Sequence, residues 1–225
     1  MQLSGTAYHP ELGQLVNYSL TPLSEDPDRQ VEQTIQRMRR HVIEDSGSAP
    51  IQRDAALIRQ SGTGDPISDS FWWVKNRINF WQDEQLSRGL RAFHGGDPVA
   101  DPIIEVLVRP RDLADMQPAA EDCDGFASYL PALLRCQGVP CSFVTVAADP
   151  REPGRFSHVY AACTDPATGQ RISLDASHGA YPGWECTESG QVTRLKEWPI
   201  DGPDWGTLFV IAVVLYAAAK VWGVL

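Results

Sequence analysis

Three residues in the second half of the chain have the types that nucleophilic catalysis uses. Cys123 opens an apolar run with helical spacing, His158 lies inside a strand-like run, and Asp175 ends the next one. A thiol attacks a carbonyl only as thiolate, and a helix N-terminus stabilises that anion. An imidazole beside it takes the thiol proton and returns it to the leaving group. A carboxylate behind the imidazole fixes its tautomer and steadies the imidazolium. Glu121, Asp122 and Asp124 crowd the thiol with negative charge. If all three pointed at Cys123 they would raise its pKa, but as cap and first-turn residues they can turn to backbone N–H groups and solvent.

The elements that must position these residues follow from pattern. The run 123–137 reads as a helix stopped by Gly138, with Pro140 just beyond and Asp122 at the N-cap. Pro131 inside it predicts a kink or a lost hydrogen bond near Ala127. Strands are expected over 141–147, 156–163 and 171–176, and antiparallel neighbours can set His158 beside Asp175. Upstream, the periodicity of Val31, Ile35 and Met38 gives a helix over 28–44. A second helix is expected over 51–60, and a third over 69–81 with Asp69 or Ser70 as its cap. Residues 98–109 read as a strand or a short helix, 110–121 as a loop, and 1–23 as a loosely structured or β arm. Helices followed by antiparallel strands define an α+β domain.

The residues around the three sharpen this. The segment CDGFASYLPALLRCQGVP from Cys123, then FSHVYAA around His158, then RISLDAS around Asp175 resemble the transglutaminase-like superfamily. In that family a Cys opens a helix of the form C-x-x-F-A-x-x-L-x-A-L-L-R-x-x-G-I-P. A strand then carries H-x-W or H-x-Y, and the next ends in L-D-x-[ST]. The upstream FWWVKNRINFW is similar to the family's W-x-x-x-x-I-x-[FY] helix. The resemblance covers about residues 65–185 and looks closest to small bacterial and bacteriophage-encoded members. It implies a papain-like core with N-terminal helices and an antiparallel sheet. It also implies Cys123 as nucleophile, His158 as base and Asp175 as orienter. Tyr160 stands where many members have Trp, and Pro131 interrupts the nucleophile helix. For the oxyanion hole, the backbone N–H of Cys123 is one donor. Gln117, Trp72 and Trp73 are the side-chain candidates, although tryptophans at helical spacing are more often core.

Composition bounds the rest. Hydrophobic residues are 43% of the 225, enough to bury a core, and the formal charge is −10 with no basic half or tail. Nucleic acid is therefore not an expected partner. Five Cys at irregular spacing without CxxC argue against a zinc knuckle or a disulfide framework, and neither metal nor cofactor is expected. Cys136 and Cys141, which bracket Gly138, read as two buried thiols rather than a disulfide, and Cys163 and Cys186 have no evident partner. Residues 1–20 lack the basic start and apolar run of a signal peptide.

Residues 208–225 carry one charge, Lys220, and as helix would reach ~27 Å, near a bilayer core. Trp205 and Trp222 flank them as interfacial aromatics do. The expected organisation is an arm over 1–26, a domain over 27–200, and a linker with a C-terminal hydrophobic helix over 201–225. That helix would meet a membrane or a hydrophobic socket in a partner, so the chain is expected to be membrane-anchored or part of a virion. The expected activity is peptide or amide hydrolysis on a protein, peptide or peptidoglycan substrate. The alternatives are transglutaminase cross-linking, or an anchored phage structural protein that keeps the fold.

Overall fold

Proline and short polar side chains start the helices. In the computed structural model, which describes residues 3–9, 13–20, 24, 26–82, 106–189 and 192–202, α1 (Pro27–Asp45), α2 (Ala49–Ser61), α3 (Pro66–Arg77) and α4 (Pro110–Asp115) each carry Pro at the first or second helical position. The ring presets φ, and the N–H it lacks has no helical partner there. Asp26 and Asp65 cap α1 and α3 by accepting the backbone N–H of Asp28 and Ile67, both at 3.0 Å.

Helix α5 (Cys123–Cys136) is the centre of the molecule. Its residues from Asp124 through Leu134 are all buried, as expected of a helix apolar on every side. Around it pack α1, α2, α3 and α4. Its other face lies on a four-stranded antiparallel sheet of order β7-β6-β5-β8, formed by β5 (Cys141–Ala147), β6 (His158–Thr164), β7 (Arg171–Leu174) and β8 (Arg194–Pro199). The helix runs through the buried Pro131 to Cys136. It ends at Gln137, and Gly138 follows at φ +79°, a left-handed position that glycine adopts without strain.

Two stretches differ from the sequence expectation. The third helix begins at Pro66 and ends at Arg77, not at Trp81. Residues Ile78–Phe80 instead form β3, parallel to β4 (Ala119–Glu121). The proposed cap Asp69 sits one turn inside the helix, where its carboxylate accepts from Thr63 N, Thr63 Oγ1 and Gly64 N and ties down the preceding loop. Likewise 110–121 is not all loop, since it holds α4 and β4. Within 98–109, the described residues 106–109 form neither strand nor helix.

Strand β8 was not expected. Arg194-Leu-Lys-Glu-Trp-Pro is mostly exposed, and a charged edge strand has no clean alternation. The chain stays on the domain through Gly202, two residues into the stretch expected to be linker. Ile200 is buried, its N–H bonds Cys141 O (3.1 Å), and Arg39 holds Ile200 O (2.8 Å) and Gly202 O. The N-terminal arm contains a hairpin, β1 (Leu3–His9) against β2 (Gln14–Leu20). The apolar run 208–225 lies outside the described residues. Among those described, no helix is long and apolar enough to cross a membrane.

Candidate active site

The thiol is placed from below by β4 and α5. All three residues of β4 are buried, and the strand delivers the chain into Asp122, whose extended backbone and carboxylate cap α5 (Asp124 N to Oδ1, 3.0 Å). Cys123 is thus the first helical residue, half-buried and not in a disulfide. Of the three carboxylates that crowd the thiol in sequence, Asp122 and Glu121 turn to backbone N–H groups. Glu121, fully buried, accepts from Val108 N and Asp122 N, both at 2.8 Å. Its side chain passes over Gly125, where a Cβ would stand 2.3 Å from Glu121 Cγ, so only glycine allows this carboxylate beneath the helix start.

His158 is the first residue of β6 rather than a mid-strand one. Ser157 pins the approach: its N–H bonds Val146 O (3.0 Å), and its hydroxyl accepts from Ala148 N and Asp149 N (3.1 Å each). Asp175 lies one residue past β7. The pairing Ala161–Leu174, carried one step further, sets Asp175 against Tyr160. Tyr160 is two residues from His158 and so on the same strand face, the diagonal cross-strand relation. His158 Nε2 lies 2.8 Å from Asp175 Oδ2. The other oxygen, Oδ1, accepts from Ser177 Oγ (2.7 Å) and His178 N (3.0 Å). Burial pushes the Asp175 carboxyl up, but the bond and charge of His158, with the two further donors, outweigh it and hold the group at about 2.

Cys123 and His158 line one cavity of about 240 Å³, whose far wall is the first half of α1, including Val31, Ile35 and Met38. On another side of His158 runs a chain of rings. His178 is edge-on to His158 with centroids 4.8 Å apart, Phe80 is edge-on to His178 at 5.0 Å, and Phe80 meets Phe126 of α5 at 6.3 Å. Tyr160 lies 6.0 Å from the His158 ring, and its hydroxyl donates to Glu185 (2.6 Å). Glu185 also accepts from Arg171 (2.7 Å) and from Ser173. Tyr160 therefore anchors β6 to the segment after β7.

The side-chain oxyanion candidates lie away from the cavity of Cys123. Trp72 and Trp73 line a separate surface cavity on α3, and the Trp73 indole donates to Tyr129 OH (3.3 Å). Gln117 is exposed between α4 and β4 and does not line the cavity of Cys123. Trp81, which follows β3, has its backbone N–H on Glu121 O (3.1 Å), and the β3–β4 register carries it alongside Asp122. Cys163, which had no evident partner, lies directly opposite Cys141 across β5 and β6, and both are free thiols.

Among the described residues, two sets of side chains could approach a cation. They are His158, Asp175 and His178, and Glu121, Asp122 and Asp124, each with ligand atoms within 4.8 Å of one another. The Asp175 oxygens already take three donors and the Glu121 oxygens two, so a cation would have to displace those bonds. No family model matches the chain, and no curated protein matches its sequence.

Proposed function

We propose that this protein is a cysteine acyl-transfer enzyme of transglutaminase-like, papain-like type, acting as a hydrolase of peptide or amide bonds. The observation that carries the reading is the 2.8 Å bond from His158 Nε2 to buried Asp175, on the cavity that Cys123 also lines. An imidazole whose Nε2 proton is given to a carboxylate has Nδ1 left for the thiol. The Cys123 proton passes to Nδ1, and the thiolate at the helix N-terminus attacks the carbonyl. The oxyanion that forms is met by the Cys123 backbone N–H. His158 returns the proton to the leaving amine, which departs and leaves a thioester. Water, deprotonated by the same imidazole, then releases the acid. An amine in place of water would give transamidation by the same residues.

The apolar walls from α1 suit an acyl group with an apolar side chain. Residues 208–225 serve in this reading as an anchor to a bilayer or to a hydrophobic socket. The test is turnover of a peptide, amide and peptidoglycan-stem panel by the full chain, with and without an amine acceptor. Cys123→Ser is expected to abolish turnover while leaving the unfolding temperature within a few degrees. Turnover that survives Cys123→Ser, or its absence from the whole panel, contradicts the proposal. Amide product in the acceptor arm redirects it to cross-linking.

A further inference from the structure

The turn after β7 holds a second imidazole that the acyl-transfer scheme does not use. Asp175-Ala-Ser-His178 folds back on its own first residue: His178 N and Ser177 Oγ both donate to Asp175 Oδ1, and Gly179 N bonds Asp175 O (2.7 Å). Ser177 Oγ also lies 2.9 Å from His178 Nδ1. A hydroxyl has one proton, and a carboxylate with its charge can only accept. Ser177 gives its proton to Asp175, so the bond to His178 must be donated by the ring, as Nδ1–H to Oγ. Neutral His178 therefore carries its proton on Nδ1. Burial, then the neighbouring His158, pushes its pKa down, which keeps it neutral at neutral pH. Edge contacts with His158 and Phe80 hold the ring from two sides. Lys75 of α3 reaches the same turn through Ala176 O (3.4 Å).

We propose that His178 is a positioning residue of this site: by donating from Nδ1 to Ser177 it fixes the hydroxyl that Ser177 gives to Asp175, so that Asp175 keeps one oxygen for His158. The proposal rests on Cys123, His158 and Asp175 being the catalytic set. Its geometric content is a relay His178–Ser177–Asp175–His158 in which every proton is assigned. Removing the first donor frees the Ser177 rotor and lets Asp175 Oδ1 and Oδ2 compete for the His158 N–H.

Two measurements test it on the full chain. The first is two-bond proton–nitrogen correlation on histidine-labelled protein at neutral pH, with the His178 signals assigned by their loss in a variant. The expected pattern is protonated Nδ1 and bare Nε2 for His178. An Nε2–H tautomer, or averaging between the two, overturns the relay. The second is the alkylation rate of Cys123 in variants confirmed folded by thermal unfolding. His178→Phe keeps a ring and deletes the donor, whereas His178→Asn keeps an N–H close to the Nδ1 position and deletes the ring.

His178→Phe is expected to slow alkylation about fivefold, the scale of one neutral hydrogen bond, and His178→Asn to stay within about twofold of the parent. Ser177→Ala should cost as much as His178→Phe, and the two together no more than either, because they break the same chain. Parent-like behaviour of His178→Phe with loss in His178→Asn would show that the ring, not its proton, matters, and would end this proposal alone. If His158→Ala left Cys123 alkylation unchanged, the catalytic reading and this one would fall together.

Discussion

Asp175 is the residue on which the site's electrostatics turn. Its carboxyl is held down from the ordinary 3.8 to about 2 even though burial works the other way. A carboxyl whose folded pKa lies below its unfolded value stabilises the fold above the unfolded pKa. That stability is lost as pH falls through the folded value. The window is therefore from just above pH 4 to about pH 2, and the effect at neutral pH is on the order of 2 kcal/mol. Urea midpoints measured across that window should fall more steeply for the parent than for Asp175→Asn, and parallel curves would show that the carboxylate contributes no such linkage. At this scale much was legible from sequence. Cys123, His158 and Asp175 stand in motifs whose spacing is local to a helix start and two adjacent strands. What spacing could not supply is what each neighbour is doing. Trp73 reads as an available indole until its N–H is found on Tyr129. His178 stays exposed as a surface residue would, and what spacing could not show is that the turn sets its ring edge-on to His158.

At the scale of elements, the start of α5 is where sequence, packing and chemistry meet. Glu121 satisfies two backbone donors beneath Cys123 and requires Gly125 to have no side chain. Gly125→Ala ordinarily favours a helix by about 1 kcal/mol. Here the added methyl would collide with the Glu121 side chain, and the net change should be a loss on the order of 2 kcal/mol, read as a lower urea midpoint. A gain in stability would mean that Glu121 moves aside freely and does not set the helix start. The same region marks the limit of local pattern. Helix α5 was legible because its cap, its apolar run and Gly138 are contiguous. Strand β3 was not, because Ile78–Phe80 continue the apolar rhythm of α3 and become strand only through pairing with Ala119–Glu121. Strand β8 was missed for the complementary reason. Its charged residues sit at the sheet edge, where the partner β5 supplies the order that the sequence pattern lacks.

At the scale of the molecule, the described domain is closed before the apolar tail begins. Ile200 is buried against the core, Arg135 pairs with Asp201, and Asp28 and Arg194 join α1 to β8 through two contacts of 2.8 and 3.0 Å. Residues 208–225 lie outside the described residues, and that many apolar residues left in water would form a large adhesive patch. Truncation after Asp204 should give a folded protein with the Cys123 reactivity of the full chain, and the full chain should float with liposomes while the truncated one does not. Unfolding of the truncated chain would make the tail a core element. Co-sedimentation of the full chain without lipid uptake would point to a protein socket.

In the proposed mechanism Cys123 is activated by His158 held on Asp175. The pH dependence of iodoacetamide alkylation at Cys123, read by mass spectrometry, addresses it without knowledge of the substrate. An unassisted thiol titrates near pH 8.5. Fast alkylation should persist well below that pH in the parent and shift toward ordinary thiol behaviour in His158→Ala. A parent profile that already follows an ordinary thiol, unchanged by His158→Ala, would contradict it.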